Sequence, residues 1–258
     1  MTIALPQIAA TQLVGYVLVF CRVGGLFALA PIFSGRMIPT QAKVIVAGAI
    51  SFALEPIVVH GTKVPTGIEV VPLILKELLV GLAIALAIGV VLAGVQWGAA
   101  ILDSTIGFSF ATLVDPMTQG QGAIVGELYG LYAVLVFLLI GGDHLMIEGL
   151  VASYRVIPLG LVPSAAQLGS LAATDLTQLS LIGLEVAAPV LVALALVDVA
   201  LALVARAVPQ MNVFVVGLPA KILVGVGAIA ASLPFLNGHL EDLLTNSVQQ
   251  ALLTLRVR

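Results

Sequence analysis

The sequence predicts an all-α membrane protein of bent and broken helical hairpins, and three observations support that fold class. Hydrophobic residues make up 61% of the 258 residues and charged residues only 9%, a composition outside the range of soluble domains. Apolar stretches of about 20 residues, the length that crosses a bilayer core, recur along the chain. Prolines and charged residues interrupt them, which favours kinked or discontinuous helices over straight spans.

Six apolar segments are long enough to be predicted as membrane spans. A shorter segment, 145–157, is too short to cross alone and is expected to be half of a hairpin or part of a broken helix. The chain is interpreted as one integral membrane domain, 1–258, whose last part, 238–258, is predicted to be an amphipathic tail helix. The predicted spans are 11–30, 42–59, 72–102, 124–140, 180–204 and 213–236.

The segment between the third and fourth spans differs from an ordinary short membrane loop. It has the sequence DSTIGFSFATLVDPMTQGQG from Asp103 to Gly122, which contains no lysine or arginine. Phenylalanine, serine and glycine alternate before a turn at Asp115-Pro116, a pattern that indicates a loop occupying a cavity. We therefore expect this segment to be the part of the chain closest to function.

Charged residues within or beside the apolar stretches form a second candidate set. A charge that faces lipid at mid-bilayer costs about 2.5–3.5 kcal/mol or more, so such groups usually face protein or water. Glu185 and Asp198 are predicted to share an acidic face of one helix, with Arg22 or Arg206 as counter-ion. Structural pairing between helices and direct contact with a transported species are both open interpretations. The set consists of Arg22, Glu77, Glu127, Glu185, Asp198 and Arg206.

Glycine spacing gives a weaker signal about helix packing. Gly94 and Gly98 stand four apart, as do Gly122, Gly126 and Gly130, and this spacing lets helix backbones approach closely. The chain has 26 glycines, so about two or three such pairs are expected by chance. Only the consecutive triplet is interpreted as a packing stripe.

Several classes of function lack a basis in the sequence. No glycine-rich phosphate loop with lysine and serine or threonine is present, which argues against nucleotide hydrolysis. The residues around Asp143 and Ser109 depart from intramembrane protease and hydrolase motifs. The basic residues form no run that would bind nucleic acid, and a single cysteine with three scattered histidines gives no zinc-ligand spacing. We predict no catalytic, cofactor-binding or metal-binding residue.

Four motifs follow one another along nearly the whole chain. The two shorter ones are CRVGGLFALAPIF (21–33) and KELLVGL (76–82). The two longer and more specific ones are GFSFATLVDP (107–116) and PQMNVFVVGLPAKIL (209–223). In this order they resemble the FliR family of flagellar export-gate membrane proteins, which includes virulence-secretion relatives.

The resemblance implies a non-enzymatic subunit of the flagellar type III protein export gate, in the bacterial inner membrane at the basal body. It would close a ring-like helical assembly with FliP and FliQ, and FlhB and FlhA are further implied partners. Unfolded export substrates would pass through this hetero-oligomer. Family members look like a fusion of the two partner folds, with helical hairpins raised partly out of the bilayer plane.

The resemblance also identifies 106–122 as the family's pore plug. Phe108, Phe110 and Leu113 would fill the pore cross-section, and packing of the two phenylalanines against neighbouring helices is the alternative. The predicted plug residues are Ile106, Gly107, Phe108, Ser109, Phe110, Leu113, Asp115, Pro116, Met117, Gly120 and Gly122. The residues assigned to buried charge and assembly are Arg22, Glu77, Glu185, Asp198, Arg206, Asn212 and Lys221.

Other functions stay open from the sequence alone. A secondary transporter of a small solute is the runner-up, because broken helices and buried charges are equally expected there. The virulence-secretion equivalent of the same gate is an alternative within the family, and an intramembrane enzyme is a distant third. A transporter should bind its solute as an isolated chain, whereas a gate subunit should lose stability or activity without partners.

Overall fold

The computed structural model describes residues 10–31, 33, 38–59, 70–109, 123–159 and 164–255. Within these ranges the chain forms seven α-helices and no strand. The predicted all-α membrane class is confirmed. The helices are α1 (Ala10–Leu29), α2 (Thr40–Val58), α3 (Val70–Ile106), α4 (Ile124–Leu139), α5 (Gly142–Val156), α6 (Ala165–Ala207) and α7 (Val213–Thr254).

Five of the helices in the described ranges are long and apolar enough to cross a membrane, and the bent pair α4 and α5 is either a sixth, broken span or a re-entrant loop. The first four predicted spans correspond to α1, α2, α3 and α4. Helix α5 is the short segment that the sequence predicted to be half of a hairpin or part of a broken helix. The break lies at Gly141, whose φ of 75° is left-handed, a conformation that glycine adopts without the strain a Cβ would bring.

The last two helices are longer than their predicted spans. Helix α6 has 43 residues and α7 has 42, so the predicted tail 238–258 continues α7 as far as Thr254. Pro189, Pro219 and Pro234 lie inside these helices without ending them. In an apolar setting every backbone group that leaves a helix must find another partner, which favours continuing the helix past a proline.

The chain divides into two compact units, and α3, α6 and α7 each contribute to both. Unit 1 consists of Met1–Gly89, Gly141–Asp175 and Leu244–Arg258, and unit 2 of Val90–Ile140 and Leu176–Leu243. The prediction of one integral membrane domain, 1–258, stays a prediction.

Unit 1 is built around a close crossing of α1 and α3. A Cβ at Gly25 would collide with the backbone carbonyl of Leu78, and a Cβ at Gly81 would collide with that of Arg22. The two helix backbones therefore touch, as small residues at a crossing allow. The buried apolar residues here include Leu18, Val19, Val23 and Leu26 of α1 and Ile84 and Ile88 of α3.

Unit 2 has its own glycine contact, between α3 and α6. A Cβ at Gly98 would collide with the backbone of Gly183, and one at Gly94 would press on Ile182. This contact corrects the interpretation of Gly94 and Gly98 as a chance pair, because the spacing does serve a close helix approach. From the predicted stripe, Gly126 and Gly130 pack against Gln96 of α3, and Gly122 lies outside the described residues.

Candidate functional site

The structure describes the first four residues of the predicted plug. Ile106 ends α3 fully buried and contacts Gly225 of α7, where a Cβ would meet its side chain at 2.8 Å. Gly107 has a left-handed φ of 106°, which turns the chain out of the helix. Phe108 is half-buried and Ser109 is exposed. The other predicted plug residues lie outside the described residues, namely Phe110, Leu113, Asp115, Pro116, Met117, Gly120 and Gly122.

Both described ends of this loop are hydrogen-bonded to Asp103. Its backbone carbonyl accepts from the N–H groups of Gly107 at 3.2 Å and Ser109 at 3.4 Å. Its carboxylate accepts from the N–H groups of Val125 at 3.0 Å and Gly126 at 3.1 Å, at the start of α4. Asp103 was not among the predicted site residues. The sequence did contain a signal for this role: an acidic residue precedes the loop, and the residue before the next helix, Ala123, has no side chain that could cap that helix.

A cavity of about 350 Å³ opens in unit 2 beside the first loop residues. Two residues of the predicted plug, Ile106 and Gly107, and two predicted assembly residues, Asp198 and Lys221, line it together. The structure thus brings members of the two predicted sets to one place. The other lining residues are Ser104, Thr105, Leu201, Ala202, Val213, Gly217 and Leu218.

Asp198 of α6 and Lys221 of α7 form an ion pair across this cavity, with 2.6 Å between Oδ1 and Nζ. The side chains are 50% and 24% exposed. The expected counter-ion, Arg22 or Arg206, is therefore replaced by a residue of the next helix. The short connection between α6 and α7 explains this choice, because Asp198 and Lys221 lie at similar distances along the chain on either side of it.

Glu185 has a different partner from Asp198. Its Oε2 lies 2.9 Å from Nε2 of His239, with the side chains 53% and 48% exposed. The prediction of one shared acidic face is wrong, because residues 185 and 198 point about 140° apart on an ideal helix of 100° per residue. A second cavity of about 590 Å³ adjoins this pair and is mostly apolar; its lining includes Tyr129, Val186, Pro189, Ser232, Phe235 and Leu236.

Unit 1 contains a fully buried charge cluster around Arg22. Its Nε lies 2.5 Å from Oε2 of Glu77, and both side chains have no exposed area. The guanidinium also donates to Ser153 Oγ at 3.0 Å and to the Ile157 carbonyl at 2.9 Å. It lies over the ring of Tyr154, 4.1 Å from the ring centre. The structure therefore pairs Arg22 and Glu77, two residues predicted as buried charges.

Lys76 is the member of this cluster that the site prediction left out. Its Nζ lies 2.8 Å from Oε1 of Glu77 and 3.2 Å from the Pro158 carbonyl, and it is 2% exposed. Glu77 thus receives one cation on each carboxylate oxygen. The signal was visible in the sequence, since Lys76 and Glu77 are adjacent in the KELLVGL motif.

The remaining predicted charge and assembly residues belong to unit 2. Arg206 and Asn212 are exposed near the connection between α6 and α7, and Glu127 is exposed in the first turn of α4. A buried carboxyl that the sequence interpretation passed over is Asp175 of α6, which is 4% exposed and whose Oδ2 has no hydrogen-bond partner among the residues that the structure describes.

A family model described as bacterial export proteins, family 1, matches residues 13–247. The chain belongs to this family of bacterial export proteins. It is 33% identical over 216 residues to the flagellar biosynthetic protein FliR of Bacillus subtilis, which covers 81% of this chain and 82% of that protein. It is 31% identical over 224 residues to FliR of Escherichia coli, which covers 86% and 85%.

The similarity extends to virulence secretion. The surface presentation of antigens protein SpaR of Shigella sonnei is 27% identical over 212 residues, covering 81% of this chain and 80% of that protein. The predicted FliR family is therefore confirmed, and the relatives support a type III export-gate subunit. They give no support to the small-solute transporter. Members of this export family are membrane-embedded components of an export apparatus.

Proposed function

We propose that this chain is the FliR-type subunit of a flagellar protein export gate in the bacterial inner membrane, at the basal body. It forms part of the conduit for unfolded proteins and seals it, without enzymatic chemistry of its own. The observation that carries the proposal is a pair of partly exposed polar contacts inside long apolar helices. One is the Asp198–Lys221 ion pair, which lies beside the loop predicted to be the plug, and the other is the contact of Glu185 with His239.

The exposed charges argue against a lipid environment for this face of unit 2. Only 22% of the residues from Ala166 to Ala207 in α6, and 17% of those from Val215 to Thr254 in α7, are buried within the chain. Asp198 and Glu185 are nevertheless about half exposed. Because charge facing lipid is costly, these groups are expected to face partner protein or water. A conduit-forming hetero-oligomer supplies both surroundings, whereas a lone bundle in lipid supplies neither.

The proposed partners are FliP and FliQ in the gate itself, with FlhB and FlhA as further membrane components of the apparatus. Unfolded protein substrates are in transit, and no nucleic acid takes part. The flagellar system is favoured over the virulence equivalent because the FliR relatives reach 33% and 31% identity, against 27% for SpaR.

The proposed plug is the segment 106–122. Its anchor is firm, since Ile106 is fully buried and Gly107 is bonded to Asp103. From this anchor the chain continues into Phe108, the first of the aromatic residues predicted to fill the pore cross-section. Opening of the gate then requires movement of the segment relative to a fixed base.

The test is resting ion leak in cells that carry the native partners, at matched levels of assembled gate. Deletion of 106–122 is compared with a length-preserving variant, Phe108→Ala with Phe110→Ala and Leu113→Ala. Both are expected to raise the leak several-fold, because each removes the side chains that block the pore. Phe52→Ala, at an exposed phenylalanine of α2, is the matched control and should not leak.

The opposite result is equally informative. If both plug variants assemble at wild-type levels and show the same resting ion leak as the wild type, the segment does not seal the conduit. Loss of partner co-purification in the deletion alone would instead assign the buried anchor residues to assembly, and the triple alanine variant then decides whether the segment seals.

A further inference from the structure

Helix α4 begins without a capping residue of its own. Its N-cap position is Ala123, which makes no side-chain capping bond. The amides that a capping side chain normally serves are the second and third of the helix, here those of Val125 and Gly126. Both donate to the carboxylate of Asp103, which lies near the end of α3 and is 4% exposed. The cap is thus supplied from the other side of the loop.

The main chain of the same residue holds the loop where it leaves α3. The Asp103 carbonyl accepts from Gly107 and Ser109, and the left-handed Gly107 makes this a typical glycine end to a helix. One residue therefore fixes the departure of the loop through its backbone and the return through its side chain.

The chemistry of the contact requires a carboxylate with two free oxygens. Oδ1 takes the Val125 amide and Oδ2 takes the Gly126 amide, so each oxygen has one donor. The positive end of the α4 dipole favours the negative charge at this point. An asparagine in the same place would turn an NH₂ group toward one of the two amides, which cannot accept it.

We propose that Asp103 is a positioning residue of the gate, which holds the end of α3 and the start of α4 at a fixed separation. The proposal rests on the proposed function, in which the segment between these ends seals the conduit. Without the carboxylate, the first turn of α4 frays, and its start is held to α3 only by the packing of Gly126 and Gly130 against Gln96. The subunit still assembles, because Asp103 belongs to unit 2 and the buried charge cluster belongs to unit 1, but its loop loses a fixed base.

The test uses the full gate with a Cys21→Ala background and spin labels at Ser104 and Leu128, two exposed positions at the ends of α3 and α4. The unmodified gate is expected to show a narrow distribution of label distances. Asp103→Ala should broaden it several-fold and raise the resting ion leak, and Asp103→Asn should do so to a smaller extent. Asp242→Asn, at an exposed aspartate of α7, is the matched control and should change neither.

A second variant separates positioning from simple helix capping. Ala123→Asp, added to Asp103→Ala, gives α4 a local cap but no tie to α3, so the distribution should stay broad and the leak should persist. Full recovery of both readouts would reduce Asp103 to an ordinary cap and overturn the proposal. An unchanged distribution in Asp103→Ala would overturn it as well. If Asp103→Ala broadens the distribution of label distances but deletion of 106–122 causes no ion leak, Asp103 positions the two helix ends and the segment does not seal the conduit.

Discussion

The two units treat charge in opposite ways. In unit 1, Arg22 and Glu77 have no exposed area and Lys76 is 2% exposed, and two carbonyls and a hydroxyl accept further hydrogen bonds from Arg22 and Lys76. In unit 2, the Asp198–Lys221 ion pair and the Glu185–His239 contact leave 24–53% of each side chain exposed. Buried charged groups must find their hydrogen-bond and ion-pair partners within the chain, whereas exposed charged groups can also find them in water or in a neighbouring protein.

The difference separates structural from interfacial roles. A buried ion pair contributes little net stability, but removal of one partner leaves an uncompensated charge and is strongly destabilising. An exposed pair contributes only about 0–1 kcal/mol. The exposed charges of unit 2 add little to the stability of the subunit, so stability does not explain why they lie inside apolar helices. Contact with partner protein or water would explain it, and for this reason we propose that this face of unit 2 belongs to the conduit.

Glu77→Ala should have the largest effect. It leaves Arg22 and Lys76 buried without a counter-charge, and such a change costs about 3–5 kcal/mol. Thermal unfolding of the purified subunit in detergent, together with its level in the membrane, measures the loss. Glu148→Ala, at an exposed glutamate of α5, is the control and should unfold as the wild type does.

A combined variant sharpens the same point. Arg22→Met and Lys76→Met, added to Glu77→Leu, remove all three charges while keeping volume, and buried ion pairs replaced in this way are often nearly neutral. Most of the stability should return, short of the bonds that Arg22 gives to Ser153 and Ile157. A triple variant as unstable as Glu77→Ala would mean that the charges themselves, and not their balance, hold unit 1 together.

Gly25→Ala should have an intermediate effect, since its Cβ would collide with the Leu78 carbonyl where α1 and α3 touch. Overpacking of this kind typically costs about 1–3 kcal/mol. The adjacent Gly24→Ala is a close control, because its Cβ would meet nothing within 4 Å. The same unfolding measurement compares the two, and equal stability would show that α1 and α3 can separate without loss.

Asp198→Asn should have the smallest effect on the isolated subunit. The pair with Lys221 is partly exposed, so the change in unfolding free energy should be below about 1 kcal/mol. The assembled gate gives the contrast, because loss of co-purification there with unchanged subunit stability would place the pair at an interface. A large destabilisation of the isolated subunit would contradict the division of roles between the two units.

The sequence predicted much of the fold from simple physical rules. Spans near 11–30, 42–59, 72–102 and 124–140 follow from apolar length, and the segment at 145–157, too short to cross alone, corresponds to the short helix α5. Helices α6 and α7 ran longer than predicted because a hydropathy pattern marks the apolar part of a helix and not its polar continuation. Glycine spacing was no guide by itself, since only the crossing partner distinguishes Gly98 from a glycine such as Gly24, where an added Cβ would meet nothing within 4 Å.

By itself, the sequence determined the membrane class, the export family and the existence of an unusual loop, because composition, motif order and segment length require no knowledge of contacts. Only the tertiary structure decided which charges meet. Arg22 could have paired with Glu185 or Asp198, and Asp103 could have faced solvent. Pairing depends on how helices cross and rotate, and over long helices a small change in crossing brings a different residue to each position.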